Sequence, residues 1–171
     1  MQAEVNNPLP DEEEMDLNVA IIVTDPNVNL PPSGMLLNAI LQKTEEFDIT
    51  ITEESIFVVG SLREVPLLVQ SLSESLVYDG IIVIDIISPT DNMTKLLLPS
   101  ITSAIYQAEL DNGTAVYQAI YFQSDISGTH SGMAQLAEST LKQTLIYISQ
   151  NIIIRMNGVE FSEDMDDENP F

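Results

Sequence analysis

The polar residues best placed for chemistry follow directly on the most apolar stretch of the chain. Gly80–Ile87 is almost continuous isoleucine and valine, and Ser88, Pro89, Thr90 and Asp91 come next. This composition is typical of a strand buried on both faces, and ligands of parallel α/β sheets bind where such strands end. The turn offers hydroxyls and a carboxylate, but no histidine, lysine, arginine or cysteine. It therefore predicts ligand contacts through hydrogen bonds rather than acid–base or nucleophilic catalysis.

Two other turns carry residues of a catalytic type. His130 is the only histidine and lies in the turn 127–132, where an exposed loop histidine is the favoured interpretation and a catalytic one the alternative. Asp25, Asp91 and Asp125 each follow a predicted strand, and gathered carboxylates bind Mg²⁺ in receiver domains. Those domains also need a lysine after the last strand, and this chain has none there. We therefore expect no metal site and no cofactor.

Arg63 is the one basic residue that we expect near these turns. Its neighbours in the predicted arrangement are Glu64 and Asp91, so an ion pair with either carboxylate is the favoured interpretation. The alternative is that the Arg63 guanidinium holds an anionic ligand.

The elements that position these turns follow from the spacing of apolar residues. Strands are predicted at Leu17–Thr24, Ile56–Val59, Gly80–Ile87 and Ala115–Phe122. Helices are predicted at 33–46 and 64–75, from a first turn containing Pro99 to a stop at 111–113, and at 131–155. The inward face of the last helix should carry Met133, Leu136, Leu141, Leu145, Ile148 and Ile152. The alternation predicts a small doubly wound α/β fold of the flavodoxin-like three-layer type, a four-stranded parallel sheet with helices on both faces.

The net charge of −22 over 171 residues is concentrated at the two ends of the chain. Six acidic residues lie within residues 1–16 and six more within residues 157–171. We therefore expect an acidic N-terminal extension at 1–16, an α/β domain at 17–156 and an acidic disordered tail at 157–171. The alternative for these ends is docking onto a basic partner surface.

The composition also argues against several classes of function. Only five lysine and arginine residues are present, so we expect no binding to nucleic acid. No apolar run reaches the roughly 20 residues of a membrane-spanning helix, so we expect no membrane insertion. The chain has no cysteine, which excludes disulfides and thiolate chemistry. Its acidic N-terminus is not typical of a secretory signal, and we expect a soluble protein of the cytoplasm or the plastid stroma.

Four stretches in this order resemble the lumazine synthase family. They cover roughly residues 17–150 and comprise VAIIVTDPN (19–27), ITEESIFVVGSLREVP (51–66), YDGIIVI (78–84) and the strand with its turn at 115–125. The resemblance implies a pentamer-like assembly whose sites lie between subunits. It also implies an enzyme that joins a ribitylamino-pyrimidine to a four-carbon keto-phosphate in riboflavin biosynthesis.

The resemblance further implies which residues would line the ligand cleft. Those that match the family, or occupy its turns, are Asn27, Gly60, Ser61, Glu64, Thr90, Asp91, Asp125 and His130. Four features that the family's chemistry needs are missing, one of them an arginine after the fourth strand, which has no clear counterpart among residues 123–135. Pro26 stands where an aromatic ring would stack, and Met93 stands where the catalytic histidine would lie. In the phosphate turn, Pro89 removes an amide and Asp91 adds a negative charge.

The chain resembles the family in its apolar framework but lacks the residues that the family's catalysis needs. This combination predicts a catalytically inactive structural or assembly subunit. Its partners would be proteins, in a homo-oligomer or in a larger complex. One alternative is a small-molecule binding protein that retains the pyrimidine or flavin pocket. The presence of Asn27, Ser61 and Glu64 favours this alternative. The other is a divergent enzyme, either a lumazine synthase or one that uses His130 or Asp125 on another substrate.

Overall fold

A computed structural model describes residues 16–24 and 32–168, with side chains as far as Ile154. The predictions for Asp25, Pro26 and Asn27 and for the N-terminal extension as far as residue 15 lie outside the described residues. Five parallel strands form the sheet, namely β1 (Leu17–Val23), β2 (Ile49–Thr50), β3 (Ile56–Val58), β4 (Gly80–Ile87) and β5 (Ala115–Phe122). The helices are α1 (Ser33–Lys43), α2 (Val65–Glu74), α3 (Asn92–Asn112) and α4 (His130–Glu168).

The sheet has four positions across its width, although it contains five strands. β2 and β3 both pair with the same side of β1, β2 at Leu17 and Asn18 and β3 at Ile21–Val23. β1 then pairs with β4, and β4 pairs with β5 over its full length. The four-stranded prediction missed β2 because a strand of two residues has no periodicity to read.

Two apolar layers cover the sheet, as the alternation of strands and helices predicts. Val19, Ile21 and Ile82 point to one face and pack with α1 and α4. Ile22 and Ile81 point to the other face and pack with α2 and α3. β1 and β4 are therefore buried on both sides, which is why their sequences are almost wholly apolar. The α/β three-layer prediction is confirmed.

Helix α3 begins earlier than the sequence indicated. It starts at Asn92, so Pro99 lies inside the helix rather than in its first turn. Proline at a first turn is a statistical preference, whereas the Asp91 side chain caps the helix directly by accepting from the backbone N–H of Thr94. That upstream cap is the physical reason for the difference.

Helix α4 departs from the prediction at its far end. Met133, Leu141 and Ile148 are buried as predicted, but Ile152 is 47% exposed and does not face the core. The helix also continues past Arg155 to Glu168. The sheet beneath it has ended by this point, so no core remains for Ile152 to reach. None of the described helices has both the length and the apolar character needed to cross a bilayer.

Leu76 occupies a backbone conformation that favours glycine, with φ of 59°. Its side chain is 88% exposed, so little burial is lost on removing it. Leu76→Gly is expected to raise the free energy of unfolding by about 0.5–1 kcal/mol in urea denaturation, because glycine relieves the strain of the left-handed conformation. Leu67→Gly, at an exposed position inside α2, is the control and should lower it by about 1 kcal/mol. A loss of stability in both variants would contradict the interpretation.

Candidate functional site

The carboxyl ends of the parallel strands bring the predicted cleft turns to one edge of the sheet. The chain leaves β1 toward β2 and β3 on one side and leaves β4 toward β5 on the other. The junction of β1 and β4 is therefore the topological switch point, where ligands of such sheets bind. The loop after β1, with Asn27, lies outside the described residues. The described half of the junction is the turn from Ser88 to Asp91.

That turn is closed by hydrogen bonds among its own residues. The Ser88 and Thr90 hydroxyls lie 3.0 Å apart, and the backbone N–H of Asp91 donates to the Ser88 carbonyl. The two Asp91 carboxylate oxygens accept from the Thr94 N–H at 3.0 Å and from the Thr94 hydroxyl at 2.6 Å. These hydrogen bonds hold the pKa of the Asp91 carboxyl below its ordinary value, with a smaller contribution from the charge of Lys95. Asp91 is thus a helix cap.

The cap has a consequence for anion binding at this turn. A helix N-terminus attracts phosphate through its free amides and positive dipole, and here the Asp91 carboxylate already occupies that position. A phosphate at the same place would have to displace Asp91 or meet its charge.

Lys95 is a second cation at this edge, contrary to the expectation that Arg63 is the only one. Its ammonium donates to the Pro89 carbonyl at 2.8 Å. The sequence predicted α3 with Pro99 in its first turn, whereas the helix begins at Asn92. Lys95 lies four positions after the capping residue Asp91, and this helical spacing brings the lysine back to the turn.

The turn after β3 is likewise closed on itself. The Gly60 backbone N–H donates to the Glu64 carboxylate at 2.8 Å, and the Ser61 side chain is exposed. The predicted ion pair of Arg63 with Glu64 or Asp91 does not form. The ion pair that the described side chains form joins Lys142 to Glu138 instead, at 3.2 Å. The two carboxylates accept hydrogen bonds from their own turns instead, and Arg63 lies exposed beside a shallow groove between α2 and α3.

The turn after β5 carries Asp125 and His130, both exposed. Thr129, rather than His130, makes the local contacts, because its hydroxyl accepts from the Gly132 N–H at 3.0 Å. β5 and β3 occupy opposite sides of the sheet, three strand spacings or about 14 Å apart. The fold therefore does not bring Asp125 close to Glu64. No group of three possible metal ligands is present among the described residues.

The Asp91 cap leads to a prediction on stability and its pH dependence. Asp91→Ala is expected to lower the free energy of unfolding by about 1 kcal/mol at neutral pH. A carboxyl whose pKa is lowered by folding stabilises the folded state above its ordinary pKa of 3.8, and that stabilisation disappears as the pH falls through the folded pKa. The two stability curves should therefore converge in acid.

Chemical denaturation of both proteins at neutral and acidic pH measures this effect. Asp91→Asn keeps an acceptor for the Thr94 N–H and should retain most of the stability at neutral pH. Because asparagine does not titrate, this variant should not lose the contribution of the cap as the pH falls. Asp125→Ala is the matched control at an exposed carboxylate and should leave stability unchanged. A loss that persists undiminished at low pH would show that the Asp91 carboxylate is not the source.

A larger cavity lies away from this edge, where the sequence did not predict a site. It has a volume of about 680 Å³ and lies along the first half of β5, between α3 and α4. Its lining comprises Tyr106, Glu109, Leu110, Gly113, Val116, Tyr117, Gln118, Tyr147, Gln150, Asn151 and Ile154. We call it the β5 groove. One signal was present in the sequence. Apolar residues outside the predicted core faces recur on both helices, namely Tyr106 and Leu110 on α3 and Tyr147 and Ile154 on α4.

The β5 groove is mainly apolar and aromatic, with three amide side chains and one carboxylate. Tyr117 and Tyr147 contact edge to face, with ring centroids 5.5 Å apart, and burial raises the pKa of Tyr117. Leu110 and Ile154 are 57% and 68% exposed. Glu109 is half-buried, and its carboxylate accepts from the Val116 N–H at 3.2 Å. Burial raises the pKa of Glu109, and the hydrogen bond offsets only part of that effect.

No protein-family model and no curated protein matches the chain. The similarity to lumazine synthase stays a prediction from the motifs quoted above. The fold, with its carboxyl-edge turns and the β5 groove, provides the basis for a functional proposal.

Proposed function

We propose that the protein is a non-catalytic, lumazine-synthase-like structural subunit that acts by binding other protein chains. The observation that carries the proposal is the surface around β5. Tyr106, Leu110 and Ile154 are each more than half exposed beside the same strand. An exposed apolar surface next to a sheet edge is typical of a protein–protein contact.

The state of the carboxyl-edge turns supports the non-catalytic part of the proposal. The Asp91 and Glu64 carboxylates, which a ligand would use, accept hydrogen bonds from Thr94 and Gly60. Met93, in the position of the family's histidine, is 66% exposed and has no titratable group. Neither turn offers a group suited to proton transfer near neutral pH.

The assembly that we propose is either a pentamer-like homo-oligomer or a larger complex in the cytoplasm or plastid stroma. The native mass of the protein, purified gently from its own cells, tests the proposal. A mass well above the 18.9 kDa of one chain is the expected result. A stable single chain would contradict it, as would lumazine formation from the family's two substrates well above the background rate.

A small-molecule role is the second candidate, and the shape of the β5 groove favours it. Its volume of about 680 Å³ falls in the range of ligand cavities, and three tyrosines line it. A planar aromatic ligand such as a pyrimidine or a flavin would stack on such rings. Titration of riboflavin with the protein, followed by flavin fluorescence, tests this role. Unchanged fluorescence at micromolar protein would remove riboflavin as a candidate.

A further inference from the structure

The outer edge of β5 carries no strand among the described residues, and Glu109 occupies only its first outward amide, that of Val116. β4 pairs with one side of β5 along its whole length, and no described strand pairs with the other side. The Val116 N–H donates to Glu109 rather than to β4, so it points outward. Backbone groups alternate in direction along a strand, and Gln118 and Ile120 therefore present their amides at the same outer edge.

Apart from the Glu109 carboxylate on the Val116 N–H, the strand itself lacks the features that keep sheet edges from pairing. Exposed edge strands are usually protected by charged residues, proline, bulges or short length. β5 is eight residues long, with the sequence AVYQAIYF, and contains neither a charge nor a proline. An unprotected edge of this length either aggregates or is covered by another chain. Extended segments bind to such edges by adding a strand, with backbone hydrogen bonds giving affinity.

The walls of the β5 groove define what an added strand should carry. Tyr106 and Leu110 of α3 stand on one side and Tyr147 of α4 stands on the other, so the space between them extends the sheet layer. Apolar side chains of an added strand would pack against these walls.

Glu109 adds a requirement for charge. Its carboxylate is half-buried and has the Val116 N–H as its hydrogen-bond donor. No lysine or arginine among the described side chains lies within ion-pair distance of the Glu109 carboxylate. The ion pair that these side chains form joins Lys142 to Glu138, on α4. A carboxylate in this setting gains most from a cation that arrives with the partner. The net charge of −22 also attracts basic segments over a longer range.

We propose that the β5 groove binds an extended segment of a partner protein, which adds to β5 at the outward amides of Gln118 and Ile120 and places a lysine or arginine side chain on Glu109. The proposal rests on the proposed function, in that the partner is a protein. The tyrosine rings that line the groove are additional contacts for the same cation.

Fluorescence anisotropy with labelled peptides tests the proposal on the full chain. The probe is a peptide of eight residues, the length of β5, that alternates valine and threonine around a central arginine. A second peptide has glutamate at the centre, and a third has the central arginine but methylated backbone nitrogens that cannot donate. The arginine peptide should bind at least about tenfold more tightly than the glutamate peptide. The methylated peptide should lose most of its binding.

Variants locate the contact. Glu109→Gln keeps an acceptor for the Val116 N–H and should abolish the preference for arginine. Glu54→Gln, an exposed carboxylate beside the opposite edge of the sheet, is the matched control and should keep the preference. Circular dichroism confirms that both variants are folded. No binding of the arginine peptide to folded protein would overturn the proposal, as would a preference that survives in Glu109→Gln.

The other occupants of the groove give different results. A second copy of the chain bound in the groove would exclude the peptide: the purified protein would self-associate in a concentration-dependent manner and would not bind the arginine peptide, and this would overturn the proposal. Failure here is distinct from failure of the proposed function. A high native mass without peptide binding would leave the structural subunit standing and remove this partner, whereas a single-chain native mass would remove the subunit itself.

Discussion

Replacing Leu110 and Ile154 together by aspartate is expected to release the protein from its assembly. These side chains stand on α3 and α4 on either side of the β5 groove, and both are more than half exposed. In a protein interface they would be desolvated, and an aspartate in their place would bury an unpaired charge at a cost of several kcal/mol. The native mass of the variant in cell extract should fall to that of one chain, 18.9 kDa.

The control for this experiment separates the location from the chemistry. Leu67 and Leu96 are 72% and 76% exposed, on α2 and in the first turns of α3, away from the groove. The double variant Leu67→Asp and Leu96→Asp introduces the same charges and should keep the native mass of the wild type. Thermal unfolding of all three proteins excludes a folding defect, because exposed substitutions cost little stability. An equal loss of mass in both double variants would locate the interface elsewhere or on several faces.

The elements of the fold follow from the sequence where burial fixes the residue types. β4 is apolar throughout because it is buried on both faces, and its bounds, Gly80 and Ile87, agree with the prediction. The bounds of β5 were equally clear. The predicted start of α3 was too late because two signals competed, a proline preference at Pro99 and a capping carboxylate at Asp91. The cap prevailed through two hydrogen bonds, which the identity of the residue alone does not reveal.

The candidate site was less accessible to prediction than the fold. The sequence identifies Glu64 and Asp91 as carboxylates in strand-end turns, and the structure places them there. What their oxygens contact depends on the local path of the backbone, and both are turned toward their own loops. The β5 groove depends on strand order, because only that order makes β5 an edge. Glu109 gains its importance from Val116, seven residues further along the chain.

Ile148→Ala is expected to lower the free energy of unfolding by about 3 kcal/mol. The Ile148 side chain is only 2% exposed and lies against the start of β4, in the layer between α4 and the sheet. Its truncation removes buried methyl and methylene groups and leaves a cavity that the rigid strands cannot close. Ile146→Ala, two residues away and 44% exposed, should change stability by less than about 0.5 kcal/mol. Urea denaturation of both variants measures the difference.

The reason for the tight fit at Ile148 is the glycine opposite it, and a double-mutant cycle tests that contact. A Cβ at Gly80 would lie 2.7 Å from Ile148 Cδ1 and 2.9 Å from Cγ1, so Gly80→Ala alone should cost about 1–3 kcal/mol through overpacking. In the double variant with Ile148→Ala, the new methyl enters the space that isoleucine leaves. The combined loss should therefore be smaller than the sum of the two single losses by at least about 1 kcal/mol. Strictly additive losses would mean that Gly80 is required for its backbone rather than for the room it gives Ile148.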